Sequence, residues 1–408
     1  MEIHPILSAL LRHKTTAALI VLEIALSCAI VCNAVFVIGS RVSYMHRASG
    51  VVENELVVLD VSSIQTDRNA DAMRREDLAA LAAIPGVKAV SSINQIPYGG
   101  NVWASSMATT PEQADDAGLT VTQYMDDGKL MEAFGLRLLA GRSFNEEEYQ
   151  DQNALIASGN GTRTPPVVIL SRALAQRLFP GESAVGKDIY EDANASMRVV
   201  GVIEDLLAPG TGFVGIDGDY LSMILPLRVS SGSYAIRTEP QRRAEVLKAA
   251  EDALKRIDAN RIFDQRETLE SMREDFYSRD RAVVWMLAAV CVALLAVTAL
   301  GIVGMASFWV AQRTKQIGVR RALGATKQQI LAYFQTENFI LTSCGIALGM
   351  LMAFGINQML MRLYELPRLP WHYLPIGAAL LWLLGQIAVF GPARKAASVP
   401  PAIATRSA

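Results

Sequence analysis

From Ala282 to Ala311 the chain carries no charged residue across about thirty positions. An α-helix rises about 1.5 Å per residue, so such a run crosses a hydrocarbon layer about 30 Å thick with room to tilt. Asn338 to Met361 and Tyr373 to Ala393 are also uncharged, and Thr15 to Ser40 is broken only by Glu23. These runs predict a membrane protein with four transmembrane helices, at residues 15–40, 282–311, 327–361 and 371–392, the third with a polar extension at its start. Composition agrees: 51% of residues are hydrophobic and 19% charged, against roughly a quarter charged in soluble domains. The first run exceeds the roughly 7–15 apolar residues of a secretory signal core, and no A-x-A site follows, so it reads as an uncleaved anchor.

Lys and Arg near the span ends set the orientation. Arg12 and Lys14 precede span one, Arg313, Lys315, Arg320, Arg321 and Lys327 lie between spans two and three, and Arg394 and Lys395 follow span four. All three segments are expected on the cytoplasmic side, with both termini. The segment 362–370 then faces outward with Trp371 and Tyr373 at the interface, and 41–281 forms one extracytoplasmic domain. Cys28, Cys32, Cys291 and Cys344 fall inside spans, so the outer domain has no disulfide framework, and a domain of its size can bury a core without one. His4, His13, His46 and His372 are scattered, without metal-ligand spacing, and no metal site is predicted.

The outer domain opens and closes with similar units. "NELVVLDVS" reads as a strand, "REDLAALAAI" as a helix stopped by Pro85-Gly86, and "VKAVSSINQI" as a second strand. Near the far end "SYAIRT" is a strand, and a helix follows from a Thr238–Gln241 capping box and Pro240. Its apolar stripe is Leu247, Ala250, Leu254 and Ile257, and "NRIFDQRETL" returns as a strand. Residues 55–97 and 221–270 are therefore predicted to form one split α+β subdomain, with 98–220 inserted as a mixed α/β subdomain. In the insert "PPVVILSRALAQRLFPGESAVGKDIY" reads as a strand, a helix from a Ser171 cap to Pro180-Gly181, and a turn. Asn153 to Thr164 reads as a polar loop, and 267–281 as a charged stalk continuing outward from span two.

Two phosphate-binding look-alikes fail on mechanism. "GESAVGKD" (Gly181 to Asp188) lacks the Ser or Thr that would ligate magnesium, and a helix rather than a strand precedes it. "GTGFVG" (Gly210 to Gly215) follows Pro209 and opens no helix, so it reads as a loop. Asn160-Gly161-Thr162 and Asn194-Ala195-Ser196 are glycosylation sequons by pattern only. "NEEEY" around Glu146 reads as a solvated helix start. Glu23, inside span one, either faces a partner helix or cavity in a packing or gating role, or snorkels to an interface. No catalytic triad, Cys/His pair or paired carboxylates can be assembled, so no catalytic residues are predicted.

"QRTKQIGVRRALGAT", Gln312 to Thr326, holds four cations and no acid. At 100° per residue Gln316, Arg320, Arg321 and Lys327 share one arc, and Val319, Ala322, Leu323 and Thr326 the adjoining one. Gly324 suits a helix stop, and Thr326 with Gln329 forms a capping box for the next helix. The segment predicts a short amphipathic helix, a tight corner, and a new helix entering the membrane. Its cations could meet lipid phosphates, but Gly318, Gly324 and Ala325 permit close approach of another backbone.

The same segment resembles the signature E-R-T-[RK]-E-I-G-[IV]-R-[RK]-A-L-G-A of the MacB/FtsX-like permeases of ABC transporters, with Gln312 and Gln316 at its two glutamate positions. "FGLRLLAGRSFNEEE", "PPVVILSRALAQRLFPGESAVGKDIY" and "RVVGVIEDL" resemble blocks of that family's periplasmic core. "PARKAASVPPAIATR" resembles its tail, with Pro400 and Ile403 at acidic positions. The resemblance implies a four-span permease of the bacterial inner membrane, working as a homo- or heterodimer on two cytoplasmic ATPase subunits. It implies no cofactor on this chain, with ATP and Mg on the ATPase. Fewer than fifteen residues precede span one, so the ATPase is expected on a separate chain, with 1–14 as an amphipathic helix on the inner membrane face and 393–408 as a cytoplasmic tail. The ATPase contacts are expected on the coupling helix 312–326: Arg313, Lys315, Gln316, Ile317, Gly318, Arg320, Arg321, Leu323, Gly324 and Ala325. The expected function is mechanotransmission, efflux from the periplasm or outer leaflet through an adaptor and outer-membrane channel. A lipoprotein-releasing permease, a non-transporting relay to a cell-wall hydrolase, and a membrane-anchored enzyme or sensor are the alternatives.

Overall fold

The computed structural model describes residues 14–63, 69–116, 118–157, 164–210, 218–364, 370–371 and 373–400. All but Lys14 of the predicted helix over 1–14, the Asn160 sequon, most of the Gly210–Gly215 loop, most of 362–370 and the second half of the tail lie outside them. The chain divides into two compact units, residues 47–278 and the membrane helices on either side of it.

Helix α1 (Lys14–Met45) precedes the first unit. That unit then runs β1 (Leu56–Ser63), α2 (Ala70–Ala82), β2 (Val87–Ser92), β3 (Ala104–Met107), α3 (Pro111–Asp116), β4 (Leu119–Met125), α4 (Leu130–Phe134) and β5 (Leu138–Gly141). It continues with β6 (Gln150–Asp151), α5 (Gln152–Ala157), β7 (Val167–Ser171), α6 (Arg172–Leu178), β8 (Asp188–Asp192), β9 (Ala195–Ile203), β10 (Ser222–Leu225) and β11 (Leu227–Arg228). It closes with β12 (Ser233–Thr238), α7 (Arg243–Ile257), β13 (Arg261–Thr268) and α8 (Leu269–Phe276). The remaining membrane unit holds α9 (Ser278–Gln312), α10 (Thr314–Ala322), α11 (Lys327–Tyr364) and α12 (Tyr373–Ala397).

Residues 47–278 build two layered subdomains, as the split pattern predicts. A four-stranded antiparallel sheet, in the order β13-β1-β12-β2, joins strands from both ends of the unit. Alternate residues of these strands, Val57, Leu59, Val90, Tyr234 and Ile236 among them, bury against Leu81 of α2 and Val246, Ala250 and Leu254 of α7. The Asp77 carboxylate holds this layer at one end, taking two hydrogen bonds from Arg261 at 2.8 and 2.7 Å and one from the Tyr234 hydroxyl at 2.7 Å. The inserted part folds round a seven-stranded mixed sheet in the order β3-β4-β10-β7-β9-β5, with β8 hydrogen-bonded to β9.

Five local expectations are corrected. Ser222–Leu225, placed by sequence in the split subdomain, lies between β4 and β7 in the seven-stranded sheet, because all four residues are buried. The four-stranded sheet resumes only at Ser233. Thr238 caps nothing: its hydroxyl donates to the Gly86 carbonyl at 2.8 Å, and a 3-10 turn at Pro240–Arg242 leads into α7. The stalk is not continuous with span two. Strand β13 runs to Thr268, whose side chain caps the separate helix α8 with Leu269 and Met272 buried, and α9 starts afresh at Ser278. The polar loop from Asn153 begins inside helix α5. Glu146–Glu148 is a single 3-10 turn closed by reciprocal bonds with Asn145, and no α-helix follows it directly. The Ser171 cap on α6 holds, with the hydroxyl accepting from Leu174 N at 3.2 Å. "GESAVGKD" is a turn ahead of β8, with Lys187 paired to Glu182 and lying over Phe179.

The membrane unit comprises the four long apolar helices α1, α9, α11 and α12, and its core joins residues of all four. α1 packs closest to α11 through small residues. A Cβ on Gly345 would stand 2.7 Å from Ile24 Cβ, and one on Gly349 would stand 2.5 Å from Cys28 Cβ and 2.6 Å from the Ala25 carbonyl. Ala353, one turn further on, is fully buried and its carbonyl accepts from Asn33 Nδ2 at 3.2 Å. This Gly-x-x-x-Gly-x-x-x-Ala seam brings the backbones together where lipid supplies no hydrophobic drive.

Candidate functional site: the elbow between spans two and three

Arg313 interrupts the helix leaving span two, with φ −99° and ψ 7°, and α10 follows as a nine-residue elbow. The C-terminal end is closed by Gly324 at φ +98°, a left-handed conformation that costs a residue with a Cβ. Two bonds complete the stop: Ala325 N to the Arg320 carbonyl at 3.0 Å and Gly324 N to the Arg321 carbonyl at 3.1 Å, a Schellman motif. The next helix is capped reciprocally. Gln329 N donates to Thr326 Oγ1 at 3.2 Å and Thr326 N to Gln329 Oε1 at 2.9 Å, the predicted capping box.

The elbow has two faces. Ile317 and Gly318 are buried, Ile317 in a cluster with Ile330 and Phe334 of α11 and Ala393, Ala396 and Ala397 of α12. Arg321 also turns inward: its Nη1 donates to the Ala397 and Val399 carbonyls at 2.9 and 3.1 Å, satisfying acceptors left open at a helix C-terminus. Arg313 Nη1 donates to both oxygens of Glu337 at 3.0 Å. Lys315, Gln316, Val319, Arg320 and Gly324 are exposed and Ala325 half-buried, while Leu323 is 83% exposed. Arg320 is partly steadied, its guanidinium 5.2 Å from the Tyr333 ring centroid. A Cβ on Gly324 would meet nothing within 4 Å, so this glycine serves the turn and leaves open space around it.

The ten residues singled out in the sequence therefore lie on one short element but not on one surface. Lys315, Gln316, Arg320, Leu323 and Gly324 face outward, and Arg313, Ile317, Gly318 and Arg321 anchor the element to its own bundle. Sequence reasoning missed Glu337, the inward partner of Arg313. Its signal was a lone acid at the edge of the uncharged run that starts at Asn338. Glu23 lies against span two: a Cβ on Gly301 would stand 2.6 Å from its Oε1. One turn along, Ser27 and Thr298 share a hydrogen bond of 2.8 Å between the same two helices.

Comparison with known proteins places this architecture. A family model described as a MacB-like periplasmic core domain matches residues 17–256, and one described as FtsX-like permease C-terminal matches residues 288–401. The macrolide export ATP-binding/permease protein MacB of Rhodospirillum rubrum is 28% identical over 256 residues, 59% of this chain and 38% of that protein. This chain thus spans well under half the length of that relative. The uncharacterized ABC transporter permease YknZ of Bacillus subtilis is 24% identical over 333 residues, 79% of this chain and 78% of that one. The crystal structure of the extracellular domain of YknZ superposes with a TM-score of 0.32 and 16% identity over 51% of this chain and 100% of that one. The two matches together take in most of the chain, the first more than half of it, over a structure with four membrane-length helices, and the chain belongs to the MacB/FtsX-type family of ABC transporter permeases.

Proposed function

We propose that this chain is the force-transmitting membrane subunit of an ABC transporter, driven by an ATPase on a separate chain. The observation that carries the proposal is the two-faced elbow. Its inner face is fixed to the bases of α11 and α12, while its outer face offers Leu323, Val319, Arg320 and Lys315 to a partner. Lipid headgroups would take the cations alone, whereas Leu323, 83% exposed at the corner, offers a protein partner an apolar contact with a charged rim. Arginine and lysine beside the spans support a cytoplasmic elbow, on the side where nucleotide is available. ATP-driven closure of the ATPase pair then presses on the elbow. The helices pass the displacement to the domain outside as a rigid-body movement, which expels substrate from the periplasm or outer leaflet. The dimer, an adaptor and an outer-membrane channel complete the assembly.

The test is a double substitution, Arg320→Glu with Leu323→Asp, in the chain co-expressed with its genomic neighbours. Loss of a charge contact and an apolar anchor should weaken co-purification of the ATPase by about a hundredfold. Unchanged association and unchanged ATP hydrolysis in proteoliposomes would refute the elbow as the point of contact.

A further inference from the structure

Glu337 is 1% exposed and lies in α11 directly before its uncharged run. A carboxylate there is costly unless it is paired. Its partner Arg313 sits at the break between α9 and α10, with a side chain 14% exposed. The guanidinium also lies 5.7 Å from the centroid of Trp309, one turn earlier on α9. The hinge residue of the elbow is therefore held by Trp309 from span two and by Glu337 from span three, with the Tyr333 hydroxyl of the same helix α11 bonded to it as well. At the other end Arg321 is tied to the last turn of α12.

Span two itself grips the bundle along a narrow line. Its buried residues are Cys291, Thr298, Ile302, Ala306 and Trp309, spaced three, four or seven apart, while Trp285, Val292, Val297, Leu300 and Phe308 are exposed. The elbow emerges from span two but is fastened to spans three and four.

We propose that Glu337 is a positioning residue: through Arg313 it locks the root of the elbow to span three, so that α10 and the base of α11 move as one body. Arg313 and Arg321 are then internal struts, and the cations left for a partner are Lys315, Arg320 and Lys327. That this lock serves coupling rests on the function proposed above. The lock itself is tested without any partner, by hydrogen exchange on the full chain in lipid nanodiscs.

Glu337→Ala should raise exchange of the Thr314–Ala322 amides by about tenfold or more, as expected for local opening of an element that has lost its anchor. The reversed pair, Arg313→Glu with Glu337→Arg, should return exchange to within about threefold of the parent. Lys315→Gln, at an exposed position of the outer face, should leave it unchanged. If Glu337→Ala loses protection throughout the spans, the isosteric Glu337→Gln decides, with a smaller rise confined to the elbow supporting the lock. Elbow protection unaltered in both Glu337 variants would overturn the proposal, and so would a folded reversed pair that exchanges as fast as Glu337→Ala. With the ATPase present, Glu337→Gln should keep association within about twofold and reduce permease-dependent hydrolysis by about fivefold. If only that last result fails, the coupling reading falls and the lock stands.

Discussion

Asp126 opens the tight turn into α4 and is 2% exposed. One carboxylate oxygen accepts from Gly128 N at 2.8 Å and Leu130 N at 2.9 Å, and the other from the Tyr149 hydroxyl at 3.0 Å. Burial nevertheless wins over these bonds and pushes its pKa above the ordinary aspartate value. A raised acid pKa means the group favours the folded state fully below its unfolded pKa of about 4, and loses that contribution as pH rises through the folded value. Asp126→Asn keeps an acceptor for both amides and removes the charge. Thermal unfolding of the variant should therefore depend less steeply on pH than the parent above about pH 4, with equal or higher stability at neutral pH. A large loss at neutral pH would show that the charged hydrogen bonds outweigh burial after all. Nothing in "YMDDGKL" announces this. A pattern of Asp and Gly specifies a turn, whereas the titration depends on how deeply the rest of the fold covers it. Gly324, by contrast, was legible, because a helix stop needs only local geometry.

Among the elements, the seam between α1 and α11 makes the sharpest demand on sequence. Gly349→Ala would press a methyl into the Ala25 carbonyl and Cys28, with backbone on one side and no flexible side chain to yield. Overpacking of this kind costs about 1–3 kcal/mol, and heat-induced unfolding in detergent should fall accordingly. Gly355→Ala in the same helix, with nothing within 4 Å of its new methyl, should leave stability unchanged or raise it slightly. Equal behaviour of the two variants would mean that the seam is not close-packed. The spans themselves were plain from hydropathy, and so were most strands of the four-stranded sheet, whose period-two pattern depends on one buried face. Strand β10 was misplaced because a continuous buried run carries no period to say which sheet it joins. The stalk was misread because charge and helical propensity continue across Tyr277, while the break is set by the docking of Leu269 and Met272.

On the scale of the molecule, residues 47–278 hold two cores of their own. The ends of the unit meet: Arg273 donates to the Arg47 carbonyl at 3.3 Å and pairs with Glu53 at 2.7 Å. A domain closed in this way is large enough to be stable alone. Expressed without the spans, 47–278 should unfold in a single cooperative or two closely spaced transitions by circular dichroism. A broad, non-cooperative melt would show that the unit depends on the membrane helices.

The corner from Leu323 to Thr326 has a mechanical consequence. One helix is sealed by the Gly324 stop and the next begins on the Thr326–Gln329 clasp, so the joint contains no slack. A push on such a joint cannot be absorbed by paying out backbone or by sliding one helix past the other. Under the mechanism proposed above, the stroke turns the bundle as a crank turns its shaft.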